Sequence, residues 1–276
     1  MSSYNDLLPI ATEAVRRATD AMRHGSPGSL TFKGDRDVAS ELDFAIEHDA
    51  RVFLATETPE IGFLGEEYGM SGPTELQWIL DPIDGTANFV RALPLCGVSL
   101  ALAYKRHPVL GIIHLPFLHS LYAAVEGGGA YANGKHLKVS STNAIRDAIV
   151  AIGDYATEPD ADAKNRLRLA LTAQLASKAY RIRMTGSAAL DLAWLAQGRL
   201  DAALTLSNHP WDVAAGTLIA REAGAEVVDG DGTSHGWHSK FTLAVSPALT
   251  GDILALYLKA NETVNPPKRG SQVGCS

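Results

Sequence analysis

The stretch Trp78-Ile79-Leu80-Asp81-Pro82-Ile83-Asp84-Gly85-Thr86-Ala87-Asn88-Phe89 decides the fold. Its apolar start reads as a buried strand, Pro82 fixes a turn, and Gly85-Thr86 opens a helix. Asp81 ends the strand, and Asp84 emerges just beyond it on the same bend, with the Ile83 carbonyl between them. The free N–H groups and positive dipole end of a helix start suit a phosphate oxygen. One short segment therefore offers carboxylates, an anion cradle and a hydroxyl.

Upstream, Leu7, Ile10, Ala11, Ala14, Val15, Ala18 and Met22 recur at helical steps, and Gly25-Ser26-Pro27-Gly28 ends that helix. A second helix is expected over 38–54, with Leu42, Ile46, Ala50 and Phe53 on its buried stripe and Asp43 and Glu47 sharing a face beside it. Lys33-Gly34-Asp35-Arg36-Asp37 between the helices reads as a polar loop. Apolar runs at 61–64, 78–80, 98–104, 109–114 and 121–125 read as strands, and Asn133-Gly134 as a hairpin turn. Downstream, strands at 149–152, 200–206 and 243–245 alternate with helices at 164–176, 188–196, 213–223 and 252–259. An α+β half (1–140) thus joins an α/β half (141–260), so the class is α/β, with a disordered tail expected over 261–276.

Composition narrows the function classes. Hydrophobic residues at 46% and charged residues at 20% suit a globular chain with a sizeable core. A net charge of −7 argues against a broad nucleic-acid or anionic-membrane surface, although a bound cation can reverse the field locally. Two cysteines, Cys96 and Cys275, make neither a disulfide framework nor a thiolate zinc site, so a cytoplasmic setting is expected. No run approaches the ~20 apolar residues of a membrane span.

Acidic residues gather at three strand ends or helix starts: Gly65-Glu66-Glu67, Asp81 with Asp84, and Trp211-Asp212-Val213-Ala214. Taken singly, the aspartates also suit turns and helix caps, and the glutamates a solvated loop. If they converge, their repulsion calls for a cation, and an oxygen-only donor set favours magnesium.

The segment 78–89 resembles the first signature of the inositol monophosphatase family, and Trp211–Ala220 with Ala223-Gly224-Ala225 resembles the second. Gly65-Glu66-Glu67 and Gly186-Ser187-Ala188-Ala189-Leu190 are similar too and fall in family order, and the resemblance spans about residues 4–260. It implies a layered α-β-α-β-α sandwich of the inositol monophosphatase and fructose-bisphosphatase type. By the same resemblance, Glu66, Asp81 and the Ile83 carbonyl hold one Mg²⁺, and Asp81, Asp84 and Asp212 a second. Glu67 acts through water on a third. Thr86, paired with Asp43, activates the attacking water; Gly85 and Thr86 amides hold phosphate; Lys33 is the basic residue of a mobile loop. Gly186, Ser187 and Ala188 belong to the substrate pocket. The implied activity is hydrolysis of a small phosphorylated polyol by a lithium-sensitive homodimer.

Departures bear on the substrate. Seven residues before Asp212, where inositol-hydrolysing members carry a glutamate, stands Thr205. Asn208 or His209, in Ser207-Asn208-His209-Pro210, could substitute for it. Upstream of Asp43 the chain reads Val38-Ala39-Ser40-Glu41-Leu42, where the family more often has threonines. Inositol monophosphate leads; histidinol phosphate, sugar or nucleoside phosphates, fructose bisphosphate and a non-catalytic regulator on the same fold are the alternatives. Gly232-Thr233-Ser234-His235-Gly236 has the letters of a nucleophile elbow without the strand-to-helix setting, and His235 and His238 lack a third metal partner. Gly127-Gly128-Gly129 lacks the setting of a dinucleotide loop.

Overall fold

The computed structural model describes residues 4–34, 38–157, 160–206 and 208–265. Its first half contains helix α1 (Leu8–His24), the small antiparallel pair β1 (Leu30–Phe32) and β2 (Val38–Ser40), and helix α2 (Glu41–Glu57). There follow β3 (Gly62–Gly65), β4 (Gly69–Ser71), β5 (Leu76–Asp84), the short helix α3 (Thr86–Val90), β6 (Gly97–Tyr104), β7 (His107–Leu115), β8 (Ser120–Val125), β9 (Ala130–Ala132) and β10 (Lys135–His136). The second half contains β11 (Ile149–Ile152), α4 (Ala161–Ala176), β12 (Arg181–Arg183), α5 (Ala188–Ala196), β13 (Ala202–Thr205), α6 (Pro210–Glu222), β14 (Glu226–Val228), β15 (Thr242–Val245) and α7 (Thr250–Val264).

Two sheets stack with helices between and outside them. The large sheet has strand order β10-β9-β8-β7-β6-β5-β3-β4 and the small one β12-β11-β13-β15-β14. Only β3–β5 is a parallel pair in the large sheet, whereas β11 lies parallel to both β12 and β13 in the small one. α1 and α2 cover the outer face of the large sheet, where Met22, Ile46 and Leu54 meet Trp78, Leu100 and Ile112. α5 and α6 fill the middle: Leu190, Ala193, Ala215 and Ile219 pack on Ile79, Ile113 and Tyr122 of the large sheet. Leu192, Leu195 and Val213 pack on Ala151, Ala203 and Ala244 of the small sheet. α4 and α7 close the far side, with Leu171, Leu175 and Ile253 against Val150, Leu204 and Leu243. The five layers α-β-α-β-α follow from these apolar faces, since both faces of each sheet must be covered.

Of the boundaries that differ from expectation, two have a direct local cause. Residues 38–40 are strand, and the second helix begins at Glu41, because Ser40 sits at φ −90° and ψ 159° and forms a capping box with Asp43. α7 runs to Val264, beyond the Asn261 at which a tail was expected, because Ala260 is still buried in the small-sheet core. The tail from Pro266 lies outside the described residues, as do Asp35-Arg36-Asp37 and Ser207. Asn133 and Gly134 make the β9–β10 turn with φ of 47° and 76°, positive values that asparagine tolerates and that glycine, lacking a Cβ, adopts freely.

Candidate active site

β5 carries the centre of the site. Asp81 faces Ser99 of β6 and Asp84 faces Gly97, so three steps along β5 match two along β6. In a regular strand, residues three apart point to opposite faces; the extra residue of this bulge turns Asp84 back to the side of Asp81. Both then line a cavity of about 210 Å³ together with Glu66, Ile83, Gly85, Thr86, Gly186 and Asp212. Glu66 arrives from the end of β3 beside β5, and Asp212 from the first turn of α6.

Each acid is held by its neighbours. Asp84 Oδ2 accepts from Ser187 Oγ and from the Ala189 amide, both at 2.6 Å. Asp212 Oδ2 accepts from the His209 amide at 2.6 Å, closing a capping box on α6. Lys33 Nζ donates to Glu66 Oε1 at 2.8 Å and to Glu67 Oε1 at 2.7 Å. Thr86 Oγ1 lies 3.0 Å from Asp43 Oδ1, to which it donates, and 3.0 Å from the Ile83 carbonyl. Asp43 Oδ2 in turn accepts from the Ser40 amide at 2.9 Å and from the Ser40 hydroxyl.

Gly85 joins strand to helix at φ +88°, and a Cβ there would stand 3.0 Å from the Leu95 carbonyl oxygen and 3.1 Å from that of Gly186. Glycine alone fits that conformation and clearance. The first amides to bond back, those of Asn88 and Phe89, reach the Gly85 carbonyl at 2.9 and 3.0 Å.

The crowding of carboxylates is expensive. Burial, reinforced by Glu66, Asp84 and Asp212, raises the Asp81 carboxyl well above its ordinary range. Burial likewise raises Asp212 to about 8 and Glu67 to about 7, with Lys33 opposing in both cases. Asp84 is lifted by burial to about 6 against the pull of its Ser187 and Ala189 bonds. Asp43 is raised by burial too. Burial works against the Lys33 charge, yet Glu66 and Glu67 outweigh it and hold that ammonium above its ordinary value.

The acids meet on one cavity without closing into a coordination shell. Among the described residues, no three histidine, cysteine or acidic side chains are grouped tightly enough to hold a metal ion. Lys33 draws Glu66 and Glu67 to itself, and Ser187 draws Asp84. The donor set nevertheless fits a divalent cation. Asp81 Oδ1 is buried with no hydrogen-bond partner, a costly state for a carboxylate oxygen that a cation would relieve. All the donors are oxygens, as Mg²⁺ requires.

A family model described as "Inositol monophosphatase family" matches residues 4–264. The chain belongs to the inositol monophosphatase family. It is 33% identical to Inositol monophosphatase 1 of Solanum lycopersicum over 90% of this chain and 93% of that protein. It is 31% identical to the Nus factor SuhB of Pasteurella multocida, over 91% and 95% of the two chains. The solved structure of a Thermotoga maritima IMPase superposes with a TM-score of 0.86 at 28% identity, covering 94% of this chain and 99% of that one.

Within this family frame, several expected residues lie off the cavity. Thr205 ends β13 and is not among the lining residues. Asn208 is buried and donates to the Ser239 carbonyl at 3.3 Å, which turns it from the site toward the loop after β14. His209 is exposed and stacks on Trp211 with centroids 4.7 Å apart. Ser187 and Ala188 sit behind Asp84, at the start of α5, while Gly186 reaches the cavity itself. His235 pairs with Asp229 at 2.9 Å in an irregular loop, and Gly127 and Gly129 donate their amides to Glu222.

Two residues act behind the site that sequence reasoning did not place there. Glu47 is fully buried, takes the Glu67 and Tyr68 amides at 2.7 and 3.0 Å, and pairs with Arg51 at 2.9 Å. It fixes the turn that presents Glu66 and Glu67; Gly65 leaves it room, since a Cβ there would fall 2.1 Å from its carboxylate. Its signal was the shared helix face with Asp43. Asp191, raised by burial to about 8, accepts from Thr185 Oγ1 at 2.7 Å and braces the turn before α5.

Proposed function

We propose that this chain is a magnesium-dependent phosphomonoesterase, with inositol monophosphate the leading substrate. The observation that carries the reading is the β5 bulge. It sets Asp81 and Asp84 on one cavity with Glu66 and Asp212, beside the Thr86–Asp43 pair. Glu66, Asp81 and the Ile83 carbonyl would hold one cation and Asp81, Asp84 and Asp212 a second, with Glu67 serving a third through water. Cations bound there supply a water of lowered pKa and neutralise charge on the phosphate.

The protein's own groups do the rest. Thr86 Oγ1 gives its proton to Asp43 Oδ1 and so keeps a lone pair for the attacking water, whose proton passes along the same path. Burial of Asp43 favours its taking a proton. The Gly85 and Thr86 amides would donate to phosphate oxygens at the helix start, and Lys33 adds positive charge at the rim. The leaving alkoxide takes its proton from water. Positioning and charge neutralisation carry this chemistry, with no covalent enzyme intermediate.

The full reading is a cytoplasmic, lithium-sensitive homodimer acting on a small metabolite rather than on nucleic acid or membrane. A second reading, a regulator on the same fold, is favoured by the likeness to a Nus factor. The test is phosphate release from inositol, histidinol, sugar and nucleoside monophosphates and fructose bisphosphate. Turnover abolished by chelation and restored by Mg²⁺ is expected, and no turnover on any of them would favour the regulator.

A further inference from the structure

We propose that the cavity between α6, the β6–β7 hairpin and the loop after β14 binds a small oxyanion that still carries a proton, hydrogen phosphate being the simplest. The inference does not depend on the phosphatase reading, because this cavity shares no lining residue with the one that holds Asp81 and Asp84.

Three segments meet at this cavity. Val213, Thr217 and Arg221 recur at helical spacing on α6 and form one stripe along it. Lys105 and Arg106 close the β6–β7 hairpin at φ of 48° and 67°, and Arg106 Nη1 lies 3.1 Å from His238 Nε2, which ties the hairpin to the loop after β14. Asn208, just ahead of α6, and His235, in that loop, add polar groups to the lining. The space is about 50 Å³. That is several times the ~10–15 Å³ that lodges a water and far below the ~300 Å³ of a small-molecule pocket. It suits one small ion.

The lining leaves both a charge and acceptors unmatched. Arg221 is half-buried, its Nη2 donates to the His235 carbonyl at 2.8 Å, and it has no ion pair among the described residues. Burial works against its charge, and Asp229, which offsets that, is spent on His235 Nδ1 at 2.9 Å and Ser239 Oγ at 2.6 Å. A guanidinium so placed calls for an anion. Asn208 is buried with its Nδ2 on the Ser239 carbonyl, and its Oδ1 has no partner among the described residues. A bare buried amide oxygen is costly and is satisfied only by a donor. His235 Nδ1 faces two acceptors, Asp229 Oδ1 and the Phe241 carbonyl at 3.1 Å, so it carries the ring proton. In the neutral ring Nε2 is then a second acceptor without a partner among the described residues. The cavity thus calls for negative charge and a proton on one small ligand. Hydrogen phosphate offers both, whereas sulfate, fully ionised near neutral pH, brings acceptors alone.

The experiment titrates inorganic phosphate and sulfate calorimetrically into the full chain in chelator, for wild type, Arg221→Gln and Asn208→Leu, with folding checked by circular dichroism. Wild type should bind phosphate about tenfold or more tightly than sulfate. Arg221→Gln should weaken phosphate binding about tenfold or more, and Asn208→Leu should close the gap between the two anions. Crystals soaked in arsenate, a protonated analogue visible by anomalous scattering, should show a stronger peak beside Arg221 than crystals soaked in selenate. Equal binding of phosphate and sulfate by wild type, or phosphate binding that Arg221→Gln leaves unchanged, would overturn the site; an arsenate peak beside either result marks an adventitious ion only. Absence of phosphate binding by folded wild type would leave the cavity to water and overturn it as well. None of these readouts is turnover, so each outcome leaves the phosphatase reading to its own test.

Discussion

Asp84 shows how one side chain can be read and still surprise. Its position just past an apolar strand marked it as a ligand, but its Oδ2 is engaged by Ser187 and Ala189, a contact between residues far apart in the chain. Asparagine retains an acceptor for those donors while losing the charge, so Asp84→Asn should fold normally, by circular dichroism, and lose about a hundredfold or more in kcat/KM. Retained turnover would remove Asp84 from the chemistry. Thr86→Ala deletes the hydroxyl that donates to Asp43, and on the proposed mechanism kcat should fall about a hundredfold with KM little changed. A rise in KM alone would make Thr86 a binding group. The Lys33 contact with both Glu66 and Glu67 illustrates the limit of sequence reading at this scale, because nothing in a linear pattern shows which acid a loop lysine will meet.

Among the elements, β11 and α5 start and end where apolar pattern and caps place them. The second helix does not, because Ser40 competes for the chain: its capping box with Asp43 makes an extended residue the better neighbour of the helix start. The bulge in β5 is equally hidden in periodicity, since Asp81-Pro82-Ile83-Asp84 has the odd spacing that a regular strand would split between two faces. The β3–β4 turn depends on Glu47 of α2, which receives its amides. Glu47→Ala should leave the small sheet intact but weaken Mg²⁺ binding about 10–100-fold, as measured by calorimetric titration. Unchanged affinity would show that the Glu66–Glu67 turn holds itself.

Across the whole molecule, alternating strands and helices gave the α/β class, while the order of the five layers came with the family resemblance, because periodicity does not say which apolar faces pair. The same stacking buries several carboxylates around one cavity, and stability should record it. Asp84 at about 6, Glu67 at about 7 and Asp212 at about 8 hold protons that an unfolded chain, with carboxyl values near ~4, would already have released. The folded state thus binds more protons than the unfolded state across that window, so in chelator the melting temperature should fall as pH rises from about 4 to 8. Mg²⁺ should restore it, most strongly at the alkaline end, where the acids it binds must be ionised. A flat profile would mean that the acids do not share one field. The most direct measurement is a crystal structure grown with Mn²⁺ and phosphate, read by anomalous scattering. Metal peaks bridged by Asp81 and flanked by Glu66, Asp84 and Asp212 are expected, with Lys33 withdrawn from Glu66. Phosphate bound with no metal among those four acids would contradict it.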